Sequence, residues 1–73
     1  MIIRSQNGLV IEEFNTVYYS EWGVGLPTLQ TPTRIMGEYS TKEKARKVLD
    51  DLHNDLIHGS KNFQFPKDED VKV

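Results

Sequence analysis

The chain has 73 residues, 27% of them charged and 37% hydrophobic, with no cysteine and a formal net charge of −2. This length excludes two domains, and the lack of cysteine excludes a disulfide framework, a cysteine zinc site and a thiol nucleophile. Apolar runs such as Leu9-Val10-Ile11 are too short to span a bilayer. Met1-Ile2-Ile3-Arg4 has neither the basic start nor the long apolar stretch of a signal peptide, so the expectation is a cytoplasmic protein. A chain this small buries only about 60% of the surface its unfolded form exposes. Small scaffolds usually need reinforcement. With no cysteine and no metal motif, pairing with a larger partner or a second copy is the remaining route. A homodimer is therefore expected, the alternative being a compact core that suffices alone.

In chain order, Met1 to Ser5 reads as a strand anchored by Ile3. Asn7-Gly8 is a strong hairpin signal, because both residues accept positive φ. Leu9 to Phe14 follows as a second strand, with Leu9 and Ile11 on one face and Val10 and Glu12 on the other. Asn15-Thr16 is a weak break. Val17 to Trp22 is a third extended run, rich in β-branched and aromatic residues. Residues 23–33, with Pro27 and Pro32, read as a loop or irregular arm, since proline is excluded from the middle of a ladder. Arg34 to Tyr39 is the next strand, in which Gly37 suggests a bulge or a close backbone approach.

Ser40-Thr41-Lys42-Glu43 has the form of a capping box with Ser40 as the cap. Ala45, Val48, Leu49, Leu52 and Leu56 then repeat at helical spacing and form one apolar stripe. Gly59 suits the left-handed position that ends a helix. Residues 41–58 are thus predicted to be an amphipathic helix about 27 Å long. Asn62 to Phe65 reads as a closing strand with Phe63 and Phe65 on one side, and Pro66 ends it. Residues 67–73 read as a polar, acidic and mobile tail behind a single domain over 1–66. The expected fold is α+β: a small antiparallel sheet of three to five strands packed against one amphipathic helix, in strands-helix-strand order.

The charges are unevenly placed. Lys42, Lys44, Arg46 and Lys47 open the helix, Asp50, Asp51 and Asp55 follow, and Asp68, Glu69 and Asp70 sit in the tail. Both helical blocks run against the macrodipole. The Lys47–Asp51 and Arg46–Asp50 pairs also stand in the less favourable order for a spacing of four. Cations concentrated at a helix start can receive a phosphate, a nucleotide or an acidic partner surface; the plain alternative is a solvated face. The mildly acidic total argues against general nucleic-acid binding. Phe14, Tyr18, Tyr19 and Trp22 form an aromatic cluster. Alternation places Val17 and Tyr19 on one face and Tyr18 and Trp22 on the other, and whichever pair the core leaves exposed is a candidate contact surface; core or dimer packing is the plain alternative. The aromatic, acidic-ended tail can likewise add to a sheet edge of another chain, or it simply closes the domain's own sheet.

No cofactor, metal or catalytic set is expected. Gly23-Val24-Gly25 lacks the third glycine of a dinucleotide loop. His53 and His58, five apart, do not stack on a helix, and no ligand motif accompanies them. Glu12 and Glu13 point to opposite faces of a strand. No serine has an adjacent histidine. The residue pattern therefore offers no support for an enzyme.

Three phrases carry a resemblance: Ile3-Arg4-Ser5-Gln6-Asn7-Gly8, Gly37-Glu38-Tyr39-Ser40-Thr41-Lys42-Glu43-Lys44-Ala45, and Phe63-Gln64-Phe65-Pro66-Lys67-Asp68. They are similar to phrases in a group of short uncharacterised proteins encoded by phages, prophages and conjugative elements of Gram-positive bacteria. Members open with RSQ(D/N)G, reach GEYST(K/E)E(R/K)A before the helix, and end in an FQFP or FxxP-like segment. Residues 9–33 match nothing in that group and are shorter and richer in proline and glycine. The shared phrases are structural and transfer no catalytic residue. What the resemblance implies is context: accessory proteins of mobile elements often act in host takeover or counter-defence by binding.

Three readings remain open. The first is an antagonist that binds a host defence protein, such as a CRISPR nuclease, through its acidic strands and tail. The second is a binder that sequesters a nucleotide signal at Lys42, Lys44, Arg46 and Lys47 with an aromatic ring. The third is a self-association module.

Overall fold

In the computed structural model, which describes residues 1–21 and 26–73, six short strands form two three-stranded sheets beside one helix. The fold is α+β, as expected. The first sheet has the order β2-β1-β6, from β1 (Ile2–Arg4), β2 (Ile11–Glu13) and β6 (Asn62–Gln64). The second has the order β3-β4-β5, from β3 (Tyr18–Ser20), β4 (Thr28–Gln30) and β5 (Ile35–Glu38). Neighbours are antiparallel except β6, which runs parallel to β1. A parallel neighbour needs a long crossover, and the helix α1 (Lys42–Ile57) lies in the connection that precedes β6.

Strand β4 corrects the reading of residues 23–33 as a loop or arm. Thr28, Leu29 and Gln30 are all buried in the centre of the second sheet. Pro27 and Pro32 bracket this strand instead of interrupting it, so no ladder donor is lost. Glycines 23 and 25, and Trp22, lie outside the described residues. In β5 the register against β4 shifts so that Gln30 faces Ile35 and Leu29 faces Gly37. Met36 thereby turns inward while Ile35 turns out. Gly37 also provides a close approach: a Cβ there would stand 2.9 Å from the buried ring of Tyr39.

The two sheets are braced together. The first hairpin turns through a Gly8 amide to Ser5 carbonyl bond of 2.9 Å, and of its Asn-Gly pair only Gly8 takes a positive φ, 77°. Gln6 at its tip behaves as an extra strand residue on the free edge of β5. Its amide donates to Met36 O (2.7 Å), its side-chain Nε2 donates to Glu38 O (2.9 Å), and its Oε1 accepts from Glu38 N (3.0 Å). A second brace joins β2 to the start of β5: the Glu12 carboxylate pairs with Arg34 and accepts from Thr33 Oγ1 at 2.8 Å.

The helix is capped by Thr41, whose Oγ1 accepts from Lys44 N at 3.1 Å, and not by Ser40. Thr41 is the extended residue that precedes the first helical turn, with φ −134° and ψ 155°, while the Ser40 amide donates to Asp68 Oδ1 at 2.7 Å. At the other end Gly59 turns left-handed, with φ 80°, and the Ser60 and Gly59 amides reach back to Asp55 O and Leu56 O, closing a Schellman motif. Ala45, Val48 and Leu52 enter the core with Ile3, Leu29, Met36, Tyr39, Phe65 and Val71, and Leu49 packs against it. The stripe ends sooner than its spacing predicts: Leu56 is 41% exposed.

The segment expected as a polar tail packs against the domain as far as Val71, and Lys72 and Val73 are exposed. Residues Asp68–Asp70 form a 3-10 turn, and Val71 is buried beyond it. Pro66 O accepts from the Tyr39 hydroxyl at 2.9 Å.

Candidate functional site

The basic block at the helix start disperses once folded. Lys44 turns toward the C-terminal segment, where its Nζ donates to Asp68 O at 3.1 Å and stands 3.5 Å from Asp68 Oδ2. Lys47 pairs with Asp51 at 2.8 Å, a contact that raises the lysine pKa. Lys42 and Arg46, one turn apart, border a cleft of about 170 Å³ with Tyr19 and Leu49. Of the four expected cations, the structure thus brings only these two together with an aromatic ring.

That ring is Tyr19 and not Tyr18. Alternation along β3 turns Tyr19 toward the helix and leaves Tyr18 43% exposed on the other face, as an outward Tyr18 requires. The Tyr19 hydroxyl donates to Glu21. That bond, then burial, then the charges of Glu21 and Glu43 push its pKa up to about 12, so it remains a protonated donor at neutral pH.

Leu49 also lines a second, longer groove of about 320 Å³ on the same flank of α1. Phe14 and Val17 form its opposite wall, and Asp50, His53 and Leu56 continue it along the helix. The spacing of the helical stripe indicated Leu49 and Leu56. Phe14 and Val17 carry no such signal, because their place depends on how the connection from β2 to β3 crosses the helix.

The first sheet has an unusual orientation. In β2, Ile11 is 64% exposed while the Glu12 side chain is only 12% exposed. Ile2 on β1 shares the outer face with Ile11, Arg4 and Gln64 around a shallow depression, and Leu9 is exposed just before the strand. Alternation separated Ile11 from Glu12, but a period of two does not say which face is covered. The decisive partner, Arg34, lies 22 positions further on.

In the acidic tail, Glu69 and Asp70 are exposed, whereas Asp68 is committed to Ser40 and Lys44. The hydrogen bond from the Ser40 amide, helped by Lys44, holds the Asp68 carboxyl below its ordinary value. The folded protein therefore holds this proton less tightly than the unfolded chain. The stabilisation is complete above the unfolded carboxyl value of about 3.9 and is lost as pH falls through the lower folded value. Asp68→Asn should be less stable than wild type at pH 7, and the gap should close as the pH is lowered through the carboxylate range. Urea unfolding across that series measures it; a gap that stays constant would show that Asp68 contributes no charge.

Among the described residues no group of three or more histidines, cysteines or acids can hold a metal ion, and no helix is long and apolar enough to cross a membrane. No protein-family model matches this chain, and neither does any curated protein or solved structure.

Proposed function

We propose that the protein acts by binding and not by catalysis: it is an antagonist, carried by a mobile element, that covers a surface of a host defence protein such as a CRISPR nuclease. The counter-defence class follows the resemblance of its three phrases. The observation that carries the binding surface is the inverted strand β2, which turns a carboxylate inward and an isoleucine to water. Leaving an isoleucine exposed forgoes about 1.5–3 kcal/mol of burial. Exposed apolar groups gathered on one face and rimmed by polar residues mark interaction sites. Ile2, Leu9 and Ile11 are exposed on that face, interleaved with Arg4 directly opposite Ile11 and Glu13 directly opposite Ile2. β2 is also an edge strand, open to a pairing segment from a partner.

Affinity capture from host lysate tests this reading, with wild type, Ile11→Lys and, as control, Ile35→Lys at a similarly exposed isoleucine of the second sheet. A protein retained by wild type and by Ile35→Lys should fall at least about tenfold with Ile11→Lys. Equal capture by all three, or by none, would refute it.

The cleft of Tyr19, Lys42, Arg46 and Leu49 supports a second reading, in which a nucleotide signal is sequestered. A ligand held there raises the unfolding temperature. A cyclic-dinucleotide panel that leaves melting unchanged would remove that reading.

A further inference from the structure

We infer that the flank of α1 bearing Lys42, Arg46, Leu49, Asp50, Leu56 and Ile57 is the contact between two copies of this chain, with the helices antiparallel about a two-fold axis near Leu49. At 100° per residue these positions share one side of the helix. The side begins with two cations, has half-buried Leu49 at its middle, and continues into Asp50, exposed His53 and two apolar residues left in water, Leu56 at 41% and Ile57 at 68%. A two-fold interface must be self-complementary, because residue i of one copy meets residue j of the other and the reverse. A cation on one side of the axis and an anion on the other meets that condition: Arg46 of each copy stands over Asp50 of its partner.

Two observations favour a second copy over another occupant. Among the described residues, Lys42, Arg46 and Asp50 form no ion pair within the chain, while Lys44 and Lys47 do. The order of the blocks is also unfavourable within a single helix, since cations stand at its positive end and acids follow. Antiparallel pairing sets Arg46 of each copy against Asp50 of the other and converts that part of the order into attraction. The contact is independent of the outer face of the first sheet, which stays open on both copies.

Light scattering over a concentration series tests the contact. Wild type should show twice the chain mass. Arg46→Asp and Asp50→Arg should each weaken self-association at least about tenfold, because each faces like charge across the axis twice. An equimolar mixture of the two variants should recover the dimer, since a chain acidic at both positions 46 and 50 then faces one that is basic at both. That recovery cannot come from repaired folding, because each chain keeps its own substitution. Ile11→Lys should dimerise like wild type.

Wild type that stays monomeric, or single variants that dimerise unimpaired, would overturn the inference. Loss of the dimer in Ile11→Lys would move the contact to the first sheet and overturn it too. So would a monomer whose Arg46→Asp variant loses a lysate partner, which would give the groove to that partner.

Discussion

Replacing Phe65 with alanine should lower the unfolding free energy by about 3–5 kcal/mol, the range for deleting a buried aromatic ring. For a chain of this length the total is only about 4–11 kcal/mol, so the variant should lose a large fraction of its stability. Phe65 is fully buried and meets Phe63 edge to face, with centroids 5.2 Å apart and planes at 87°. Its amide donates to Arg4 O at 3.1 Å, which fastens the chain after β6 to the end of β1. Removing the ring leaves a void in the core that Phe65 shares with Ile3 of the first strand and with Val71 of the C-terminal segment. Urea denaturation measures the loss. A change below about 1 kcal/mol would place Phe65 outside the well-packed interior.

Leu29→Ala should cost about 2–5 kcal/mol. Leu29 is fully buried at the middle of β4, paired with Tyr19 on one side and Gly37 on the other. It is the central residue of the central strand, and α1 packs against both β3 and β4. Truncating it opens a hole beneath the helix that the sheet cannot close without breaking its ladder. The comparison is Ile35→Ala, three positions past Pro32 and exposed on the same sheet, which should stay within about 0.5 kcal/mol of wild type. Equal effects at the two positions would mean that residues 28–30 are a surface arm after all.

The reasons for these two expectations also mark where the sequence is informative. The helix is legible because its apolar spacing and its terminal glycine act locally, and both ends fall within a residue of the reading. Strands β1, β2, β3, β5 and β6 lie within their expected runs for the same reason. β4 is hidden because a three-residue strand flanked by prolines has no period to detect, and its burial is imposed by two neighbours it does not itself specify. The cap is Thr41 and not Ser40, and the Ser40 amide instead meets Asp68, a partner 28 residues away. The same holds for the surface: Lys42, Lys44, Arg46 and Lys47 look alike in a string, and only tertiary contacts with Asp68 decide that Lys44 is spent on structure. The division of the strands into two sheets, bridged by the side chain of Gln6, has no local signature at all.

Strand β1 pairs with β6, and Ile3 shares a core with Phe65 and Val71. During synthesis the first strand therefore waits for the last one. At about 5–20 residues per second, roughly sixty intervening residues leave Ile2 and Ile3 without their closing neighbour for several seconds. The nascent chain is thus an unfinished sheet with one apolar strand open to solvent, a form that chaperones or a second nascent copy on the same polysome can meet before the mature surface exists.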